Sequence, residues 1–567
     1  MDPLKQWFND FNSSDLYRRL QLRPVAYFCA EFCLYDRNTP EAGPGMRRDL
    51  PIYAGGLGIL AGDVIREAAD RHFPLVGVGL FYSESKDLGI GQRRLKMVLD
   101  RHLNLITVEI PLQDRRIFVA AYVWQEKGIP VYLLTTDIDL NDPRDRAITS
   151  AIYPGDKEKR LQQEIVLGLG GLRLLETLGI HPAVYHLNEG HSAFLAIEII
   201  RHEIEERLIP FDQARDLAKR RIVFTNHTLL PGGNDVFSND LVAVNLAKYA
   251  EEMRVPVNEL VKLGLVQESN LFSMTMLSLR LAQTVNAVSQ THAEKAAEIW
   301  PDHPMIGITN GIHLGTWDRD GVDGGLDWFG QESDLRDRHQ ENKRKLLKFV
   351  EKVTGQKWSE NCLLAGWGRR ITGYKRPGAI FQDVDRLAAV LRDKDRPVRL
   401  IFSGVSHPSD EDGRRELTEI LEIIKTKLSD VVCYLSGYNF EIAGSMVAGC
   451  DLWMNTPVVG FEASGTSTMK AMLNGTLLAT TRDGWLSEIE INSVGWELGD
   501  ANPGAGFLEL LEKEIKPQYY SDRKSDPEEK WLKKMSAGRE IIINKYSTSR
   551  MLKEYIEKLY SPIVSGG

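Results

Sequence analysis

The sequence predicts an α/β fold built from two doubly wound domains, on three observations. Short apolar, β-rich runs alternate with amphipathic helical segments along nearly all of the 567 residues. The runs fall into two series, one before and one after a stretch rich in Gly and Asp. Polar and aromatic residues stand directly behind the runs, where parallel strands present ligand-binding residues.

In chain order, residues 15–20 read as an amphipathic helix, and the runs at 25–32, 75–82, 105–111, 117–123, 131–137, 184–188 and 222–225 read as strands of the first series. The second series lies at 363–366, 398–404, 431–436, 452–455 and 477–481. Helical periodicity covers 156–178, 191–206, 382–392, 416–428 and 465–473, the apolar positions recurring every three to four residues. Domains are expected at 1–290 and 291–567, with Gly315, Gly321, Gly324, Gly325 and Gly330 marking a linker or an irregular surface segment. Residues 531–559 read as two terminal helices that pack back over the first domain.

Composition narrows the function classes. An apolar fraction of 43% and a charged fraction of 26% exclude a disordered chain, a collagen and a coiled-coil rod. The net charge of −9 offers no field for nucleic acid, so an anionic ligand needs a local basic cluster. The five cysteines include no CxxC pair and read as reduced, buried thiols. The N-terminus lacks the charged-then-apolar pattern of a signal peptide, and the most apolar helical stretch, 165–180, is interrupted by Arg173 and Glu176. A cytoplasmic protein with no membrane or nucleic-acid partner is expected.

Several motifs carry chemistry. Ala54-Gly55-Gly56-Leu57-Gly58 opens a helix and suits either an anion or a tight turn. Gly168-Leu169-Gly170-Gly171 sits inside a helical pattern and reads as close helix packing. Arg369, Arg370, Lys375 and Arg376 place four cations within eight residues just behind a buried run, a phosphate pocket or else a solvated face. In Phe461-Glu462-Ala463-Ser464-Gly465-Thr466-Ser467-Thr468-Met469-Lys470, small polar residues open a helix and place Thr466, Ser467 and Lys470 on one face. That suits pyridoxal phosphate, which has a phosphate arm and a lysine-reactive aldehyde. A capped helix with an ordinary lysine is the plain alternative. The Ser467-x-x-Lys470 spacing of penicillin-binding enzymes lacks its Ser-Asp-Asn and Lys-Thr-Gly companions. His186, His191 and His227 lack metal-site spacing, and with Asn188 and Glu189 they suit sugar hydroxyls.

Together these segments resemble the glycogen (α-glucan) phosphorylases. Glu462 to Thr466 with Met469-Lys470 and Leu473-Asn474-Gly475 is similar to the cofactor-lysine motif of that family, and Arg369-Arg370 with Tyr374-Lys375-Arg376 to its phosphate segment. Thr225-Asn226-His227-Thr228 with Leu230-Pro231, Leu187-Asn188 with His191, Gly55 to Gly58, and Thr309-Asn310-Gly311-Ile312 match further blocks. The resemblance implies a GT-B fold, with two Rossmann-like domains facing a cleft that holds pyridoxal 5′-phosphate. It implies reversible phosphorolysis of an α-1,4-glucan, glycogen or maltodextrin, by inorganic phosphate to glucose 1-phosphate with retention.

By the same resemblance, Lys470 carries the cofactor as a Schiff base, and Arg370 and Lys375 hold the substrate phosphate. Arg369, Gly56 and Thr466 surround the cofactor phosphate, and Tyr438 lines its pocket. Glu462, Ser464, Gly465, Asn286, Asn188, His191 and His227 bind the sugar, the His227 carbonyl facing developing oxocarbenium charge. No metal is implied, and a homodimer is common in the family. Val405 stands where a lysine is expected, Ala54 for an asparagine and Thr468 for a glycine or asparagine, and 35–49 has no counterpart. A GT-B glucosyltransferase of the glycogen synthase type, or an inactive glucan-binding homologue, are the alternatives. The short N-terminal segment leads to the expectation of an enzyme without an N-terminal allosteric switch.

Overall fold

The computed structural model describes residues 3–35, 49–85, 95–229, 233–267, 269–319, 332–407, 410–522 and 530–566. Leu230-Pro231, Pro408, most of 35–49 and the glycines at 321–330 lie outside the described residues. The chain forms two compact units. One comprises 1–309 with 549–567, the other 310–548. The division falls later than 290 because the short strand Ile306–Gly307 still pairs with Thr284–Ala287 of the first sheet.

The first unit is built on one large sheet. Its parallel part runs in the order Ile306–Gly307, Thr284–Ala287, Ile222–Asn226, Val184–Asn188, Val25–Phe28, Leu75–Leu80, Ile129–Thr135. Beyond Ile129–Thr135 the sheet turns antiparallel through Arg115–Glu126, which carries Lys96–Met97 and Val108–Leu112. The sheet is therefore mixed rather than wholly parallel, because a two-residue hairpin joins Arg115–Glu126 to Ile129–Thr135 and leaves no room for a crossover helix. Val25–Phe28 and Leu75–Leu80 are buried at every position, as a strand covered on both faces requires.

The helix over 156–178 contains a π-helical turn, Val166–Gly170. Its glycines serve packing. A Cβ on Gly168 would lie 2.5 Å from the Leu195 amide nitrogen, and one on Gly171 would lie 2.6 Å from the Phe28 ring. Residues 549–567 return to this unit, and Tyr555, Ile556, Leu559 and Tyr560 join its core, whereas the helix Lys530–Lys545, expected to pack here too, belongs to the second unit, whose core takes Trp531 and Met535.

The second unit is an all-parallel sheet in the order Val432–Leu435, Val398–Ser406, Leu363–Ile371, Leu452–Asn455, Leu477–Thr480, Gly495–Glu497. Numbered along the chain this is 3-2-1-4-5-6, the doubly wound order with its switch point between Leu363–Ile371 and Leu452–Asn455. The first strand runs five residues further than the apolar run at 363–366, so Arg369 and Arg370 are its last turns of pleat and not a loop behind it. Their side chains alternate accordingly, Arg369 buried and Arg370 exposed. All five cysteines are buried free thiols.

Candidate active site

In the second unit the chemistry gathers at the switch point. The Arg369 guanidinium crosses from the first strand to the fourth, donating through Nη2 to Asn455 Oδ1 and, at 3.2 Å, to Ser467 Oγ. Its Nη1 lies 3.6 Å from Glu462 Oε2. Lys375, on the 3₁₀ turn Gly373–Lys375, donates to both oxygens of the same carboxylate, at 3.3 and 3.1 Å. Burial pushes the Glu462 carboxyl up, but Lys375 and then Arg369 outweigh it and hold the group below the usual carboxylate range. Among the described residues, the exposed Arg370 side chain makes no hydrogen bond or ion pair. The pairing register sets it opposite Val405, half-exposed where a lysine was expected.

The segment 461–470 is held from three sides. Asp483 Oδ2 accepts from the amides of Phe461 and Glu462, at 3.1 and 2.8 Å. Trp485 Nε1 donates to the Gly465 carbonyl at 3.0 Å and to Thr468 Oγ1 at 3.1 Å, so the unusual Thr468 is spent on fixing this loop. Asn310 Nδ2 donates to the Ser464 carbonyl at 3.3 Å. A Cβ on Gly465 would lie 2.8 Å from Glu462 Oε1 and would push that carboxylate aside.

The helix itself is Ser467–Leu473, with Thr466 at its N-cap and Lys470 at its middle, where the last turn begins. Lys470 is 7% exposed, its ammonium 4.0 Å from the centre of the Trp317 ring. Asn474 Nδ2 clamps the pair by donating to the carbonyls of Trp317 and Lys470, each at 2.8 Å. Tyr438 donates to the Gly368 carbonyl at 3.0 Å, and burial pushes its phenol up to about 12 against the opposing Arg369 charge.

In the first unit the strand register brings Asn188, Thr225 and Asn286 level at one sheet end. His227 Nε2 meets Asn188 Oδ1 at 2.6 Å, and the His227 amide donates to Glu189 Oε2 at 2.6 Å. Asn188 Nδ2 donates to Cys29 Sγ at 3.2 Å, across the point where the order changes direction between Val25–Phe28 and Val184–Asn188. His191 Nε2 lies 3.4 Å from Asp235 Oδ2, which also accepts from Arg160 Nη2 at 2.8 Å. Burial lowers His186, His191 and His227 each to about 3, so all three are neutral at pH 7.

Two placements depart from the sequence-based roles. Asn286 is fully buried, its Oδ1 accepting from Thr225 Oγ1 at 2.5 Å and its Nδ2 donating to the Ala287 carbonyl, which makes it a support beneath the strand ends. Gly56 starts the helix Gly56–Asp70 with open space about its Cα, but the neighbouring amides of Ala54 and Gly55 are taken by Glu31 Oε2, at 2.5 and 3.2 Å.

Sequence reasoning gave Asn310 no role of its own, named Glu189 only among groups suited to sugar hydroxyls, and missed Trp317, Asp235 and Arg160. The Thr309-Asn310-Gly311 block was a signal for the first. The Arg160–Asp235 pair spans 75 positions and leaves none. Glu189 adopts φ 74° and ψ 167°, a region that costs any residue but glycine about 1–3 kcal/mol.

The comparisons agree with this picture. Residues 330–502 match the family described as carbohydrate phosphorylase. The chain is 33% identical to the maltodextrin phosphorylase of Thermococcus litoralis, over 99% of this chain and 72% of that one. It is 29% identical to the glycogen phosphorylase of Aquifex aeolicus, over 98% of this chain and 88% of the relative. For the glycogen phosphorylase of Mycobacterium tuberculosis the figures are 30%, 98% and 73%. With two α/β units of the GT-B kind and a basic switch point beside a buried lysine, this chain belongs to the carbohydrate phosphorylase family.

Proposed function

We propose that the protein is an α-1,4-glucan phosphorylase that converts the nonreducing ends of glycogen or maltodextrin, with inorganic phosphate, to glucose 1-phosphate. One observation carries the reading. Arg369 and Lys375 converge on the Glu462 carboxylate while Arg370 makes no side-chain hydrogen bond or ion pair among the described residues, and Lys470, eight residues after Glu462, is buried against an aromatic ring.

The residues fit pyridoxal 5′-phosphate. Arg369 Nε, Ser464 Oγ and Thr372 Oγ1 are buried without hydrogen-bond partners, as an anion cradle requires. Lys470 would hold the cofactor, with Arg369, Ser467 and Thr466 about its phosphate and Tyr438 against its body. When bound, the cofactor supplies a phosphate group that exchanges a proton with the substrate phosphate.

The remaining chemistry belongs to the chain. Arg370 binds the substrate phosphate through its free fork, and Lys375 turns toward it from Glu462. Glu462, so released, accepts sugar hydroxyls together with the Ser464–Gly465 backbone and Asn310. In the first unit, neutral His227 offers a ring nitrogen to a hydroxyl and its carbonyl to developing positive charge, a group that needs no reorganisation. Asn188 fixes that ring, and His191, tied to Asp235, stands beside it. We read the enzyme as cytoplasmic. Glucose 1-phosphate release from maltodextrin, strictly dependent on phosphate, tests the assignment.

A further inference from the structure

Glu189 stands apart from the residues assigned above. Its backbone occupies a region of φ and ψ that is essentially restricted to glycine, yet it carries a full side chain. That side chain is 3% exposed. Oε2 accepts the His227 amide at 2.6 Å, and Oε1 is buried with no hydrogen-bond partner. The backbone N–H of Glu189 in turn donates to the Thr225 carbonyl at 3.0 Å. A residue that combines backbone strain with a buried, half-satisfied carboxyl is destabilising twice over, so the fold must gain something by keeping it.

What it touches shows the gain. The Asn226–His227 peptide lies between two grips. Asn188 Oδ1 meets the His227 ring, and Glu189 Oε2 takes the His227 amide. Neighbouring residues on one turn thus fix both the side chain and the main chain of His227. The amide bond sets the tilt of that peptide, and therefore the direction of the adjoining backbone carbonyls. A glycine at 189 would adopt the same backbone without strain, but would leave the amide donor of His227 unheld.

We propose that Glu189 is a positioning residue, its strained backbone delivering a carboxyl that locks the His227 main chain in the orientation used for the glucosyl unit. This rests on the glucan phosphorylase reading for the step served, but the lock itself belongs to the ligand-free chain.

Two variants separate strain from grip. Glu189→Gly relieves the backbone and removes the acceptor. Glu189→Gln keeps the strain and still offers an amide oxygen to His227. Hydrogen exchange of the His227 amide, measured in the purified protein without substrate, reads the lock directly. Protection is expected in wild type and Glu189→Gln, with exchange about tenfold faster or more in Glu189→Gly. In phosphorolysis, Glu189→Gly is expected to lose about tenfold or more in kcat with little change in the KM for phosphate, and Glu189→Gln to recover most of that loss. Unchanged exchange in Glu189→Gly overturns the lock, and wild-type kcat in Glu189→Gly overturns its catalytic purpose. Should Glu189→Gly not fold, a kcat loss of about tenfold in Glu189→Gln overturns the proposal, because its acceptor is intact. A wild-type protein that yields no glucose 1-phosphate defeats the functional reading instead, and the exchange result still decides the lock.

Discussion

The Lys375 ammonium lies 3.1 Å from Glu462 Oε2 in a half-buried pair, and Arg369 Nη1 approaches the same oxygen at 3.6 Å. Two cations thus share one carboxylate, and the cluster keeps a net positive charge. On the proposed function, bound phosphate competes with Glu462 for these cations and frees its carboxylate for hydroxyls. Lys375→Ala removes one partner from a shielded pair and is expected to destabilise the second unit by about 3 kcal/mol, read as a lower denaturant midpoint. Adding Glu462→Gln to that variant restores most of the stability but not the activity.

Arg370 gives the contrasting case. It is exposed near the strand end and makes no side-chain hydrogen bond or ion pair among the described residues. Arg370→Ala is expected to leave the thermal midpoint within experimental scatter while weakening phosphate binding by about 2–5 kcal/mol. Steady-state kinetics with phosphate varied at saturating maltodextrin measure it. An unchanged phosphate KM would mean that the basic cluster is only a solvated face.

Lys470 sits 4.0 Å over the Trp317 ring, a contact worth about 0.5–2 kcal/mol. Lys470→Ala is expected to abolish retention of pyridoxal phosphate and all activity, with only a small loss of stability. Absorbance of the dialysed protein after incubation with the cofactor, before and after borohydride, checks the first part. Persistent covalent binding in the variant refutes the role.

The buried histidines and Glu189 of the first unit respond to pH in opposite senses, over ranges that overlap between about pH 4.5 and 6.5. His186, His191 and His227 are held neutral by burial at about 3, against an unfolded value near 6.5. Their stability contribution is complete above pH 6.5 and is lost as pH falls toward 3, because only the unfolded chain takes up the protons. Glu189 has the opposite sense. Burial, then the Asp235 charge, raises it to about 8 against the opposing His227 and Gly190 amides. The folded state holds that proton between about pH 4.5 and 8, so this group costs stability progressively as pH rises through the window. The difference in thermal midpoint between Glu189→Gln and wild type is therefore expected to grow from pH 5 to pH 8. A constant difference would show that Glu189 does not titrate there.

Much of this was legible in the sequence. Runs such as 184–188 and 452–455 coincide with strands, because strands buried on both faces need continuous apolar residues. Local spacing paired Arg369 with Lys375 and Glu462 with Lys470 in the sequence, and the fold brings Arg369, Lys375 and Glu462 into contact. Less legible were elements whose signal is not local. Thr284–Ala287 is four residues long with polar Thr284 and Asn286, and only its neighbours make it a strand. Leu363–Ile371 continues through two arginines because Asn455 and Ser467 satisfy Arg369 from distant parts of the chain. The buried Arg160–Asp235 pair and the strained Glu189 belong to the same class, since no periodicity marks a residue that is costly by itself.

The central claim is most directly tested by incubating the purified protein with maltodextrin and following glucose 1-phosphate as phosphate is varied from zero. Product that appears only with phosphate, saturates with it, and disappears in Arg370→Ala at low phosphate is the predicted result. Absence of glucose 1-phosphate at every phosphate concentration from protein loaded with pyridoxal phosphate, with glucosyl transfer from a sugar nucleotide instead, would contradict it.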